Sequence, residues 1–104
     1  MDGVQLKLNE QQEGAFKITE GGEQVGEMAV SIREGVLTAY HTEVREEAEG
    51  KGYAKKLLAA MTDYARKNKF KVLPLCSYVH LQFRRHPDEY ADIWTKQQTD
   101  RSER

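Results

Sequence analysis

Hydrophobic and polar residues alternate with a period of two through the first part of the chain. Val4, Leu6 and Leu8 alternate with Gln5, Lys7 and Asn9, and Phe16 and Ile18 with Lys17 and Thr19. Met28, Val30 and Ile32 likewise alternate with Ala29, Ser31 and Arg33. This spacing sets apolar side chains on one face of a half-buried strand. Asn9 to Gly14 is polar and reads as a connection, while Gly21-Gly22 and Glu34-Gly35 read as turns. A further strand runs from Val36 to about Val44. The expectation is a meander of three or four antiparallel strands.

After Gly52 the period becomes helical. Ala54, Leu57, Leu58, Met61, Tyr64 and Ala65 share one face, and Lys55, Lys56, Thr62, Asp63, Arg66 and Lys67 fall largely opposite. A helix is predicted from about Gly50 to Lys67, with cations at its negative end and Asn68 as a left-handed cap. Phe70 to Leu75 then forms a short apolar strand. A strand-helix-strand crossover is right-handed, so this strand should lie parallel to the one ending at Val44. Pro74 cannot donate to a ladder, so the two strands should part near it and leave a cleft. Ser77 is placed to cap a second helix with Val79 and Phe83 inward, which Pro87 stops at or before His86. Tyr90, Ala91, Ile93 and Trp94 form a last apolar patch that packs back. The pattern describes one α/β (α+β) domain over residues 1–94, with a mixed sheet, and a polar, disordered tail from Thr95 to Arg104.

Composition narrows the function. The 104 residues give room for one core, and the net charge of −1 argues against a nucleic-acid module, which needs a basic surplus. No apolar run approaches the roughly 20 residues of a membrane span, and Met1 to Leu6 lacks the features of a signal peptide. One cysteine, Cys76, cannot form an internal disulfide, so an intracellular, cytoplasmic setting is expected. Three dispersed histidines show no metal-ligand spacing, and no metal is expected.

The stretch from Thr42 to Leu58 is the most informative. It orders a strand end, a loop with Gly50 and Gly52, and a helix start. Either it is an ordinary strand-to-helix turn, or it is an anion cradle built from the partnerless first amides of the helix. Cys76, just before a helix start, is either a thiolate nucleophile favoured by the helix dipole or a small buried hydrophobe. His41 is either a general base or a sheet histidine bonded to backbone. Tyr78 is placed either to donate to a leaving thiolate or to pack. Arg84 and Arg85 read as a solvated face, His86 as structural, and Glu43, Glu46, Glu47 and Glu49 as a hydrated loop or an attractant for a cationic amine.

His41 to Val44, Glu49-Gly-Lys-Gly-Tyr-Ala54, the helix Lys55 to Arg66, Pro74-Leu-Cys76 and Arg85-His-Pro87 together resemble the GNAT superfamily of acetyl-CoA-dependent N-acetyltransferases, in particular a minimal branch of about this length. The matching segments cover about half the chain, in order. The resemblance implies acetyl-CoA with its pyrophosphate on the amides of Glu49, Gly50, Lys51, Gly52, Tyr53 and Ala54, and its pantetheine arm paired with the backbone around Val44. It departs at Glu49, where the superfamily carries Arg or Gln; Arg45, Lys51, Lys55 and Lys56 are placed to offset that carboxylate. The default chemistry implied is direct attack by a neutral amine, with Cys76 and His41 as candidate catalytic groups. The partner implied is an amine acceptor, protein or small molecule. Fuller members enclose the acceptor with extra elements, so here the site is open, or a second copy completes it; a monomer or weak homodimer is expected. A non-catalytic acyl-CoA-binding domain is the alternative.

Overall fold

The alternating segments become the strands of a single sheet. The computed structural model describes residues 3–95, in which β1 (Val4–Leu8), β2 (Glu13–Glu20), β3 (Glu23–Arg33) and β4 (Val36–Val44) pair antiparallel in chain order. Helix α1 (Tyr53–Lys67) then crosses over, and β5 (Lys71–Pro74) joins β4 in parallel, completing the order β1-β2-β3-β4-β5. Helices α2 (Ser77–Arg85) and α3 (Pro87–Tyr90) follow. The class is α+β, as the period change from two to 3.6 requires. No helix among the described residues is long and apolar enough to cross a membrane.

The core lies on one side of the sheet. Phe16, Ile18, Met28, Val30, Leu37 and Val72 are each 2% exposed or less and form one cluster with Leu57, Met61 and Ala65 of α1 and Val79 and Phe83 of α2. The helices lie side by side there, because one surface groove is lined by Leu58 and Thr62 of α1 together with Gln82 of α2 and Tyr90 of α3. This explains why Thr62, expected on the polar face, is only 4% exposed: it turns toward the second helix and satisfies its hydroxyl on the Ala59 carbonyl at 3.2 Å. The opposite face of the sheet carries Glu27, Ser31, Arg33, His41 and Glu43, and no described helix covers it.

Several boundaries differ from expectation for local reasons. Gly52 sits at φ 81°, in the left-handed region, so α1 starts at Tyr53 rather than near Gly50. A short 3₁₀ turn over Glu46–Ala48 fills the gap, pinned by the buried Ala48. Asn68 is not left-handed (φ −99°); its amide side chain donates to the Tyr64 carbonyl, and Lys69 takes φ 60° instead. Cys76, not Ser77, holds the cap position of α2, without a side-chain cap bond. Glu13 and Gly14, expected in a connection, belong to β2. Pro87 ends α2 and opens α3, the first-turn position it tolerates.

Register along β3 and β4 slips once. Ala29 pairs with His41 and Val30 with Ala39, so Tyr40 is an extra residue, a β-bulge, and its hydroxyl meets Ser31 Oγ at 2.7 Å.

The final patch packs back as expected. Phe83 stacks on Tyr90 at 4.5 Å, Trp94 meets Phe83 edge-on, and Ile93 is 2% exposed. Thr95, expected in the tail, donates its amide to the Val72 carbonyl at 3.1 Å; the rest of that tail lies outside the described residues. Arg66 of α1 ties this patch down by donating to Asp92 at 2.9 Å. The hydrogen bond from Arg66 holds the Asp92 carboxyl below its ordinary value. Its stabilisation is therefore complete above that ordinary value and is lost as pH falls through the lowered one. Replacing Asp92 by Asn should lower Tm slightly at neutral pH, because the pair is exposed. In thermal scans across pH, the gap between the proteins should close as pH drops below 3.8. A gap unchanged at acid pH would show that the ion pair is not its cause.

Candidate active site

The parting of β4 and β5 is where the fold opens. Their ladder runs from Val36 opposite Lys71 to Ala39 opposite Pro74, and the Cys76 amide makes a last bond to the Ala39 carbonyl at 2.8 Å. Beyond it, β4 continues from Tyr40 to Val44 beside β3, but its other edge borders open space. Proline at the strand end is the cause, since it has no amide to extend the ladder.

A cleft of about 400 Å³ occupies this space, lined by Thr42 and Val44 of β4, Ala48, Glu49, Gly50 and Gly52 of the loop, Tyr53, Ala54 and Lys55 of α1, and Tyr78 of α2. The first amide-to-carbonyl bond of α1 is from Lys56 to Gly52, at 3.1 Å. Among the described residues, the amides of Tyr53, Ala54 and Lys55 therefore have no backbone acceptor. They carry the positive end of the helix dipole. Gly50 and Gly52 stand at φ 88° and 81°, and a Cβ on either would meet nothing within 4 Å. The site is thus an open cradle of donors suited to an oxyanion ligand.

Thr42 Oγ1 lies 3.3 Å from Cys76 Sγ, so the two sides of the splay touch at its floor. Cys76 is 3% exposed and belongs to the core cluster. Tyr78 is half-buried, and desolvation, helped by neighbouring Cys76, pushes its phenol above the ordinary tyrosine value. Like any tyrosine phenol at neutral pH it is protonated and can donate. His41 is exposed and projects from the bare face, on the opposite side of β4 from Thr42.

A second, shallower cleft of about 590 Å³ lies against the ends of β3 and β4. Gln24, Gly26, Glu27, Glu43 and Arg45 line it, and it shares Thr42, Val44 and Glu49 with the first. Arg45 does not reach the loop cleft: its guanidinium bonds Glu23 at 3.0 Å and Glu47 at 3.4 Å. Lys51 is exposed and lines neither cleft. Of the residues singled out from sequence, Val44, Glu49, Gly50, Gly52, Tyr53, Ala54, Lys55 and Tyr78 are brought together; Arg45 joins Val44 and Glu49 only in the second cleft, Lys51 sits between the two glycines without lining either cleft, and His41 faces the other side of the sheet. Thr42 and Ala48, though inside the segments read as informative, were not singled out as site residues. Their only signals were alternation with His41 and a lone apolar residue among glutamates.

Comparison with known proteins places this geometry. Residues 15–93 match the GCN5-related N-acetyl-transferase family. No curated protein matches the sequence. Among solved structures, the fold superposes on a GCN5-like protein of Staphylococcus aureus assigned to the N-acetyltransferases (TM-score 0.64, 27% identity), covering 90% of each chain. It also superposes on the ribosomal-protein-S18-alanine N-acetyltransferase of Escherichia coli, with TM-score 0.58 and 15% identity over 62% of this chain. An aminoglycoside acetyltransferase from an uncultured soil metagenomic sample aligns with TM-score 0.60 and 18% identity over 74% of this chain. At those identities the last two show the shared fold alone, and this chain spans 42% and 57% of their lengths. With its family match covering most of the chain and its strand splay, glycine loop and crossover helix in family order, the protein belongs to the GCN5-related N-acetyltransferase family.

Proposed function

We propose that this protein is an acetyl-CoA-dependent N-acetyltransferase acting on an amine. The observation that carries this reading is the partnerless row of amides at Tyr53, Ala54 and Lys55, opening into a cleft beside the free edge of β4. Bound acetyl-CoA would supply the acetyl thioester. The chain supplies the rest: amides and the helix dipole for the pyrophosphate, the edge of β4 around Val44 for the pantetheine, and a backbone amide there for the developing oxyanion. Glu49, the departure from the superfamily pattern, lines the cleft rim and is exposed, so its carboxylate can turn to water; its amide, expected to join the cradle, instead donates to the Glu46 carbonyl at 3.2 Å and closes the 3₁₀ turn.

The acceptor side is supported by the second cleft. It adjoins the first through Thr42 and Val44 and carries Glu27, Glu43 and Glu49, a lining that favours a cationic amine approaching the thioester. Tyr78 is the candidate to protonate the departing thiolate, because its phenol lines the cleft and is in the donor form at neutral pH.

The test is release of free thiol from acetyl-CoA across small amines, polyamines and lysine peptides, beside a thermal-shift titration with acetyl-CoA. Stabilisation by acetyl-CoA without turnover on any amine would instead favour the non-catalytic acyl-CoA-binding reading; neither response would overturn both. With an active acceptor, Tyr78→Phe should lower kcat about a hundredfold while KM moves little, the size expected of a lost general acid. Cys76→Ala should retain turnover, since the thiol is buried outside the cleft lining. A comparable loss with Tm unchanged, together with an acetylated parent enzyme seen by intact mass, would make the thiol the nucleophile.

A further inference from the structure

The bare face of the sheet gathers three metal-ligand side chains that chain order keeps apart. Glu27 of β3 stands directly opposite Glu43 of β4, and Ala29 opposite His41, so His41 and Glu43 project from one face with Glu27 across from them. One ligand atom from each, an imidazole nitrogen and two carboxylate oxygens, lies within 4.8 Å of the others. Around a tetrahedral ion with bonds of roughly 2.0–2.2 Å, ligand atoms sit roughly 3.4 Å apart. Small side-chain rotations close that difference. Two paired strands hold the three Cα positions, so little backbone reorganisation is needed.

The electrostatics point the same way. Like charges directly opposite on an antiparallel pair repel, yet among the described residues neither Glu27 nor Glu43 is in an ion pair; the basic partners serve Glu23, Glu47 and Asp92. Glu27 receives one hydrogen bond, from Gln24 Nε2 at 3.2 Å, and the side chains of His41 and Glu43 have no hydrogen bond among the described residues. A cation between the three would replace repulsion with attraction. An imidazole in the set selects a borderline transition metal over magnesium or calcium, which prefer all-oxygen ligands.

We propose that Glu27, His41 and Glu43 form a binding site for a divalent transition-metal cation, Zn²⁺ being the best match, completed by water. The site lies across β4 from Thr42, and a cation there would engage two of the carboxylates that line the second cleft. Sequence spacing cannot reveal this set, because Glu27 enters it from the neighbouring strand.

The experiment titrates the tag-free protein with Co²⁺, read by visible absorption, and then displaces it with Zn²⁺. One equivalent of Co²⁺ should bind with ligand-field bands and without the intense thiolate charge-transfer band that ligation by Cys76 would give. Zn²⁺ should displace it stoichiometrically, and Mg²⁺ should not. His41→Ala and Glu43→Gln should each weaken binding at least roughly tenfold, the lower end of what losing even an outer-shell partner costs. Both residues are exposed and removing Glu43's charge relieves repulsion, so Tm without metal should not fall and weaker binding cannot be ascribed to unfolding. Four results would overturn the proposal: no saturable binding at millimolar Co²⁺, binding indifferent to both substitutions, a charge-transfer band from Cys76, or displacement by Mg²⁺ as effective as by Zn²⁺.

Discussion

Replacing Gly14 by alanine is expected to destabilise the domain by about 3 kcal/mol or more, beyond the usual range for a surface substitution. A Cβ at this position would fall 1.8 Å from the Lys7 carbonyl oxygen and 2.9 Å from its carbon. The obstacle is backbone of the paired strand, so no rotamer change can relieve it. Either β1 moves away from β2, breaking the pairs Lys7–Ala15 and Leu8–Gly14, or the hairpin distorts. Because a kilocalorie shifts Tm by roughly 4–8 °C in a domain of this size, the variant should melt roughly 12 °C or more below the parent. Gly21→Ala is the control. Its Cβ would meet nothing within 4 Å, and only its φ of 61° resists the change. That left-handed penalty is about 1–2 kcal/mol. If the Gly14 variant melts no lower than the Gly21 variant, the close approach of β1 and β2 is not a constraint on this fold.

The second large effect concerns the loop. The double substitution Gly50→Ala, Gly52→Ala should weaken acetyl-CoA binding about thirtyfold to a thousandfold, since two left-handed positions each cost about 1–2 kcal/mol and each 1.4 kcal/mol is tenfold. Space is not the issue, because a Cβ at either residue meets nothing. The φ values of 88° and 81° aim the amides that follow, so a loop relaxing to ordinary angles turns those donors away from the cleft. A loop that holds its shape keeps affinity and loses stability instead. Isothermal titration and thermal unfolding therefore have to be read together. If neither affinity nor Tm falls in the double variant, glycine conformation is not what shapes the cradle.

The division between what the sequence showed and what it hid follows from where each signal resides. Strands and the crossover helix were legible because a half-buried element repeats its pattern locally, every two residues in β1 to β3 and every three or four in α1. Pro74 was legible for the same reason: a missing amide has one meaning in a ladder. The start of α1 was misplaced because Gly50 and Gly52 both satisfy a helix-entry pattern, and only the left-handed angle at Gly52 separates loop from helix. Glu13 and Gly14 looked like a connection, since neither is apolar; their membership of β2 depends on the partner strand. Thr62 depended on a third layer of information, the neighbouring helix. In the candidate site, the loop was readable as a local motif, whereas the contact of Thr42 with Cys76 joins residues 34 apart and has no local trace.

The extra residue at Tyr40 decides which chemistry faces which side of β4. Upstream of it the odd-numbered Leu37 and Ala39 point into the core; downstream the even-numbered Thr42 and Val44 border the cleft. The bulge thus acts as a parity switch in the strand. Counting by twos from Leu37 without it would deliver His41 and Glu43 to the cleft and Thr42 to the bare face. Straightening the strand with every residue kept would therefore trade a neutral, hydroxyl-bearing wall for a charged one, whereas deleting Tyr40 would remove the bulge and leave Thr42 and Val44 at the cleft.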